Sequence, residues 1–510
     1  MNRQHDPTQR PALSALQAGF VPVGSAAHRQ VPLFIIQDRD GVEAVFALVA
    51  EKLDGDFPIY GLSVHAIEPP LPRTVERLAA RLAATIREVQ PVGPYRLVGW
   101  SQGALVAYEV AAQLVGQDET VEFIGLVGER VQCDRRAHAP APIASLQVHL
   151  FVQPSADGDA CAGDAGTVPW RSLLPAEQIT EVKVPQAERG IATPARSLGR
   201  ALSRAIAGAA GRPAQGPEAQ YRPQITIQSG SPRTAPLFCI PGAGDSVTGF
   251  TGLATALGAQ WPVHGLQPRG VEGVLAPHAT VQAAAASYLR AIGQMQPCGP
   301  VHLMGHSFGG WIAFEIALRL RAADRDVGSL TLVDSEVPEA GGLPGREHSA
   351  IDVMATFIES LELASEKPLG VTREALERSD PSQWLPMVHA GAVRIGLMPA
   401  RSRPEMLQGC LRTFGTALRT AYRPHAEYTG PVRLVLIPDA RLDAAGNQQQ
   451  YRRMEEGWRR HAPRLGCWTG PGNHMTILKP PHVAHLARWW LSGLEGGPST
   501  ATLDCTVPAV

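Results

Sequence analysis

The sequence predicts an α/β fold built twice in tandem, each copy carrying a largely parallel sheet, and three observations point there. The first is a long-range internal repeat. The second is an alternation of short apolar runs with longer helical patterns. The third is a Gly-x-Ser-x-Gly pentapeptide in each copy, set between an apolar run and a helical one.

The repeat is direct. Residues Gly93–Leu114 line up without gaps on Gly299–Leu320, with 10 of 22 pairs identical at an offset of 206. Upstream, Pro32-Leu33-Phe34 matches Pro236-Leu237-Phe238 and Gly61-Leu62 matches Gly265-Leu266, both at an offset of 204. An offset this steady over so long a span marks duplicated domains. The first copy is placed at 18–208 and the second at 224–495. The Ala-, Gly- and Pro-rich stretch within 209–223 reads as a linker, and 496–510 as a flexible tail.

In the second copy, Leu237–Ile240, Val301–Met304, Leu330–Val333 and Val432–Ile437 read as buried strands. Val281–Met295 and Gly310–Ala322 carry apolar residues at helical spacing between them. This alternation gives a parallel sheet whose functional edge lies at the carboxyl ends of its strands. Residues 336–428 are not strand-like. Within them Ile351–Leu363 and Met406–Tyr422 read as amphipathic helices, so this stretch is expected to be a lid inserted over the sheet edge. Phe357, Leu361, Trp384 and Met387 are assigned to holding the lid together rather than to binding substrate.

Composition narrows the function classes. The 510 residues are 44% apolar and 18% charged, with 46 basic and 47 acidic side chains, a balance that points away from nucleic-acid and anionic-membrane partners. Seven cysteines without a CxxC pair predict no disulfide framework and fit a reducing compartment. The first thirty residues show no signal pattern, and no apolar run approaches the ~18 residues of a membrane span, so a soluble cytoplasmic protein is expected. No metal-ligand cluster, phosphate-binding loop or dinucleotide fingerprint stands out, so neither a metal nor a bound cofactor is expected.

The chemistry centres on Gly305-His306-Ser307-Phe308-Gly309-Gly310. Glycines permit a strand-to-helix turn too sharp for side chains, which lifts the Ser307 hydroxyl above the sheet and turns the Phe308 N–H toward it. A serine needs a base, and the base an orienting acid. His474 fits as base, in Gly470–Leu478 ahead of the closing helix, whereas His482 and His485 fall on that helix as surface or packing residues. Asp334 and Asp439 each end a strand and are both candidates for the acid. A second backbone donor to an oxyanion is expected from Pro241-Gly242-Ala243-Gly244, at Ala243.

Taken together, Pro-Leu-Phe-Cys-Ile-Pro-Gly-Ala-Gly at 236–244, Gly-His-Ser-Phe-Gly-Gly at 305–310, Leu-Val-Asp at 332–334 and Gly-Asn-His-Met at 472–475 resemble the thioesterase domains of nonribosomal peptide and polyketide synthases. The resemblance covers roughly 224–495 and implies an α/β-hydrolase fold with a helical lid. It implies the catalytic set Ser307, Asp334 and His474, because the family's acid follows the strand after the nucleophile helix, where Asp334 stands. It further implies a substrate chain carried as a thioester on the phosphopantetheine arm of an acyl or peptidyl carrier protein, moved to serine, then released to water, an internal nucleophile, an amine or an alcohol. A serine esterase on small soluble esters, or a non-catalytic carrier-docking scaffold, are the rival readings.

The first copy resembles the same family from about 20 to 208 but departs at the residues that matter. Ser101 keeps the elbow, in Gly99-Trp100-Ser101-Gln102-Gly103, while the Asp334 position holds Gly128 and the oxyanion loop becomes Gln37-Asp38-Arg39-Asp40. Aligning Pro185 and Pro194 on Pro471 and Pro480 puts Glu188 at the His474 position, at an offset of 286 instead of 206, a deficit the size of the lid. Loss of acid, base, oxyanion loop and lid predicts a catalytically dead copy that serves as a structural partner, a carrier-docking surface, or an acyl acceptor at Ser101.

Overall fold

Apolar runs buried on both faces form the middle of each sheet: Leu33–Gln37 and Leu237–Ile240 are buried at every position. Such strands need helices on both sides. The computed structural model describes residues 20–22, 31–37, 53, 57–63, 72–134, 138, 140–152, 167–185, 192–210, 221–338 and 347–494. The chain divides into two units, Met1–Gln220 and Tyr221–Val510. Most of the proposed linker, the proposed tail, Asp38–Asp40 and Glu188 lie outside the described residues.

The first unit comprises β1 (Phe20–Pro22), β2 (Leu33–Gln37), β3 (Ile59–Ser63), α1 (Val75–Val89), β4 (Tyr95–Trp100), α2 (Gln102–Gly116), β5 (Val121–Val127), β6 (Arg130–Gln132), β7 (Val148–Val152), β8 (Thr167–Pro169), β9 (Ile179–Lys183) and α3 (Ala192–Ala209). Its main sheet has the order β1-β3-β2-β4-β5-β7-β9. Only β1 runs antiparallel to its neighbour.

The second unit repeats that path. It comprises β10 (Gln224–Gln228), β11 (Leu237–Ile240), α4 (Thr251–Leu257), β12 (Val263–Leu266), α5 (Val281–Met295), β13 (Val301–His306), α6 (Phe308–Ala322) and β14 (Val327–Val333). Next come α7 (Ala350–Ser365), α8 (Arg373–Arg378), α9 (Trp384–Arg394), α10 (Gln408–Arg419), β15 (Val432–Leu436), α11 (Ala444–Arg459), β16 (Leu465–Thr469) and α12 (Val483–Ser492). The sheet order is β10-β12-β11-β13-β14-β15-β16, again with an antiparallel first strand. Successive strand residues point to opposite faces. Leu303, Leu332 and Leu434 therefore join the cluster around Tyr288, Phe314 and Trp458, while Met304, Val333 and Val435 join the one around Phe250, Leu486 and Trp490.

Helices α7 to α10 lie between β14 and β15, where the lid is expected. They have a separate core built on Phe357, Ile358, Leu376, Trp384, Val388 and Phe414. Phe357 and Trp384 are buried in it, and Leu361 packs against it. No helix stands between β5 and β7 of the first unit among the described residues. Of the described cysteines, Cys133, Cys239, Cys410 and Cys467 stand outside any disulfide and Cys298 is disulfide-bonded, a bridge the sequence reading did not anticipate. Spacing along a chain does not show which thiols folding brings together.

Both elbows depend on glycine. A Cβ on Gly309 would come within 2.3 Å of the Ile240 carbonyl oxygen, and one on Gly103 within 2.4 Å of that of Ile36, so each helix begins jammed against the central strand end. Gly309→Ala is therefore expected to destabilise the second unit by roughly 2 kcal/mol or more, the scale of an overpacked core position. Gly293→Ala is the control: a Cβ there meets nothing within 4 Å on α5, and removing a helical glycine adds up to ~1 kcal/mol. Thermal unfolding of the two variants measures the contrast, and equal midpoints would contradict it.

Candidate active site

The site is assembled at the carboxyl ends of β11, β13 and β14 and in the loop after β16. Ser307 takes φ 53° and ψ −124°, a left-handed conformation that a side chain adopts only under constraint. It stands at the start of α6 yet makes no capping bond with its side chain, so the hydroxyl is left to the site. Its N–H donates to the Val333 carbonyl at 2.8 Å, which sets it beside Asp334, itself at φ 47°. The Asp334 N–H in turn donates to the Val435 carbonyl at 2.9 Å.

His474 Nδ1 lies 2.7 Å from Asp334 Oδ2. A carboxylate only accepts, so Nδ1 carries the proton and Nε2 is the lone-pair nitrogen. Asp439, the other candidate acid, is turned away: its carboxylate pairs with Arg441, at 2.8 Å from Nη2, and that pairing holds its pKa below the usual carboxylate range. Desolvation pulls the His474 pKa down, but the hydrogen bond and charge of Asp334, with Asp245 and Glu336 beyond, outweigh it and leave the imidazole above 6.5.

The loop bearing His474 is held on several sides. Asn473 Oδ1 accepts from the Met475 and Thr476 N–H groups, both at 2.9 Å, a local turn that competes with any regular continuation of the chain. Asn473 Nδ2 reaches the Leu363 carbonyl on α7 at 3.2 Å. His306, one residue before Ser307, donates from Nε2 to the His474 carbonyl at 2.7 Å, and the two rings lie 4.8 Å apart. Burial, with the charge of His474 adding to it, pushes the His306 pKa down to about 3 although that hydrogen bond opposes the shift, so its ring is a neutral strut. Sequence reasoning passed over His306 and Asn473 because each reads as filler around a motif residue; their positions flanking Ser307 and His474 were the signal.

The loop after β11 closes the site. A Cβ on Gly242 would stand 3.2 Å from Ser307 Cβ, so glycine lets backbone N–H groups approach the serine. Ala243 packs against the lid core, which places the expected oxyanion loop under α10. Asp245, missed from sequence, lies 3.9 Å from His306 Nδ1 with 38% of its side chain exposed. Desolvation pushes its carboxyl up to about 6 against the pull of His474 and Lys479. Among the described residues no group of three or more His, Cys, Asp or Glu is placed to hold a metal ion.

The first unit reproduces the backbone without the chemistry. Ser101 has φ 55° and ψ −123°, its N–H donates to the Val127 carbonyl, and Gly128 N–H donates to the Phe151 carbonyl, matching Ser307 and Asp334 bond for bond. Gly128 supplies no carboxylate. Trp100 stands where His306 stands, and Gln37 is buried where the oxyanion loop would begin.

The geometry sets an imidazole paired with a carboxylate beside the strained Ser307, and a pH dependence is expected from it. Reaction of Ser307 with a fluorophosphonate should rise with pH through a value above 6.5, as His474 loses its proton. Asp334→Asn removes the group that raises that value, so the acid limb should move down while the rate falls roughly 10³- to 10⁴-fold, the cost of losing the orienting acid in a serine triad. Asp245→Asn should move the limb down without a comparable fall. Rate profiles across pH measure both, and an unmoved limb would refute the assignment.

A family model described as Thioesterase domain matches residues 31–153 and 235–490. Chondramide synthase cmdD of Chondromyces crocatus is 29% identical over 256 residues, 49% of this chain and 6% of that protein. Nonribosomal peptide synthetase btyA of Aspergillus terreus is 32% identical over 189 residues, 37% of this chain and 19% of that protein. The chain thus spans a small part of the length of these relatives. Among solved structures, the Vlm2 thioesterase domain aligns at 20% identity with a TM-score of 0.38, over 52% of this chain and 95% of that domain. Among the described residues no helix is long and apolar enough to cross a membrane.

Proposed function

The chain belongs to the thioesterase domain family, and on that premise we propose that its second unit releases an acyl or peptidyl chain from the phosphopantetheine thioester of a carrier protein, through an acyl-enzyme on Ser307, in nonribosomal peptide or polyketide biosynthesis. The observation that carries the reading is the 2.7 Å contact from His474 to Asp334 beside a serine held in a strained elbow. The relatives named as synthases and synthetases support the setting.

In this reading Ser307 Oγ attacks the thioester carbonyl carbon while His474 Nε2 takes its proton. The developing oxyanion is met by the backbone N–H groups of Ala243 and Phe308, the latter opening α6 where the helix dipole also favours negative charge. The C–S bond breaks, the thiol leaves with the proton from His474, and the chain remains as a serine ester. A second nucleophile, either water or a hydroxyl or amine, gives its proton to His474, attacks the ester and frees Ser307. Asp334 keeps the imidazole in the useful tautomer throughout. The first unit, with Gly128 in place of the acid, acts without catalysis; a serine lacking base and oxyanion donors is a poor nucleophile.

Intact-mass analysis after fluorophosphonate treatment tests both statements. One adduct is expected, lost in Ser307→Ala and kept in Ser101→Ala; a second adduct would sink the reading of the first unit. Turnover of a carrier-bound acyl thioester should exceed that of short p-nitrophenyl esters by at least an order of magnitude in kcat/KM, and the reverse order would favour a small-ester hydrolase.

A further inference from the structure

The first unit holds a cavity of about 500 Å³ between its last two strands and α3, within the size range of small-molecule sites. The register places His149 of β7 opposite Thr180 of β9. On α3, Arg200, Arg204 and Gly208 recur every four residues with Ala201 and Ala205 beside them, one face of the helix. Its other face, Leu198, Leu202 and Ile206, is packed into the sheet core, so the helix is docked and the cavity lies along its flank.

The same place in the second unit is filled. There the Arg433 guanidinium sits 3.8 Å over the Trp489 ring and donates to the carbonyls of Trp489 and Trp490, while Trp468 stacks on Trp489 at 4.9 Å. Each member of that stack has a counterpart lining the cavity. His149 is second in β7 as Arg433 is in β15, and Val182 is fourth in β9 as Trp468 is in β16. Laying the buried residues Leu202 and Ile206 on Leu486 and Trp490 sets Ala205 at Trp489. The aromatic filling has gone from the first unit.

Lost packing alone gives a void with no reason to collect charge. This one is lined by Lys183, Arg200 and Arg204, none in an ion pair among the described residues, and its described lining holds no carboxylate. Three like charges around one space repel, and an anion between them reverses the sign. Guanidinium forks suit phosphate, Thr180 and Ser197 add hydroxyl donors at the wall, and Val182, Ala201 and Ala205 offer an apolar floor.

We propose that this cavity is a binding site for an organic phosphate and that it takes the phosphate of phosphopantetheine; the choice of that compound rests on the function proposed above. Calorimetric titration of the full chain with 4′-phosphopantetheine and with pantetheine, which lacks the phosphate, tests it. The phosphorylated compound should bind at least 10-fold tighter, and Arg200→Ser with Arg204→Ser should abolish that margin while leaving the thermal midpoint and Ser307 labelling unchanged. Equal affinities, no binding of either compound, or a margin that survives the double variant would overturn the proposal. Loss of Ser307 labelling in the unmodified chain would instead count against the proposed function and leave the cavity's ligand standing.

Discussion

Everything at this site depends on a steric constraint, the close approach of the first turn of α6 to the end of β11. Gly309 meets the Ile240 carbonyl where no side chain fits, and Ser307 is bent to φ 53° as a result. Conformations of this kind cost on the order of 1–3 kcal/mol and persist only where the surroundings over-determine them. Here the surroundings are two parallel strands, whose ladder continues into the bonds from Ser307 to Val333 and from Asp334 to Val435. Sheet register thereby becomes site geometry: Ser307 and Asp334 end on neighbouring strands, one step past the last paired residues.

The base reaches this pair from a loop distant in sequence, and a loop alone cannot hold an imidazole to within a hydrogen bond. His306 supplies one tie, beside the Asn473 turn and its bond to Leu363. Its low pKa keeps the ring neutral, and a neutral ring whose Nε2 proton is committed to the His474 carbonyl cannot compete for the Asp334 carboxylate. The acid and the base are joined through their side chains, while elbow and base loop are joined through His306. Asp245 tunes from outside this core; its charge supports protonated His474 and weakens as its own carboxyl takes up a proton near 6.

How much of this the sequence disclosed follows from what local pattern can encode. Continuous apolar runs and helical spacing located β11, β13, β14, β15, α5 and α6 to within a few residues, because those elements are buried and their periodicity is strong. Strands β10 and β16 were not legible: they lie at the sheet edges, largely exposed, with no apolar run to betray them. Ser307 and His474 stood in motifs, but the choice between Asp334 and Asp439 needed a resemblance, since both end strands and only the fold shows which one faces the imidazole. The cavity on α3 was invisible for a different reason. Arg200 and Arg204 are exposed, and nothing in their spacing shows that the aromatic positions facing them hold small residues.

Among the described residues the first unit has neither helices between β5 and β7 nor a carboxylate at Gly128, and the second unit shows how the two features are linked. In the second unit helices α7 to α10 are tied to the loops bearing His474 and Ala243: Asn473 to Leu363, Lys479 to the Ala364 carbonyl at 2.7 Å, and Ala243 into their core. At its far end Tyr422 donates to the buried carboxylate of Glu315 on α6 at 3.0 Å. Remove the lid and each of these loops loses a wall, so the residues that needed those walls are no longer held. Glu109 of α2 is the corresponding residue in the first unit. It matches Glu315 and keeps a partner at the next turn, Gln113 at 2.9 Å where Arg319 serves Glu315 at 2.7 Å. Its carboxylate faces His138 at 3.8 Å, as that of Glu315 faces His425 at 3.7 Å beside Tyr422. Glu109 is partly exposed where Glu315 is buried, so its carboxylate stands with weaker partners at a lower desolvation cost.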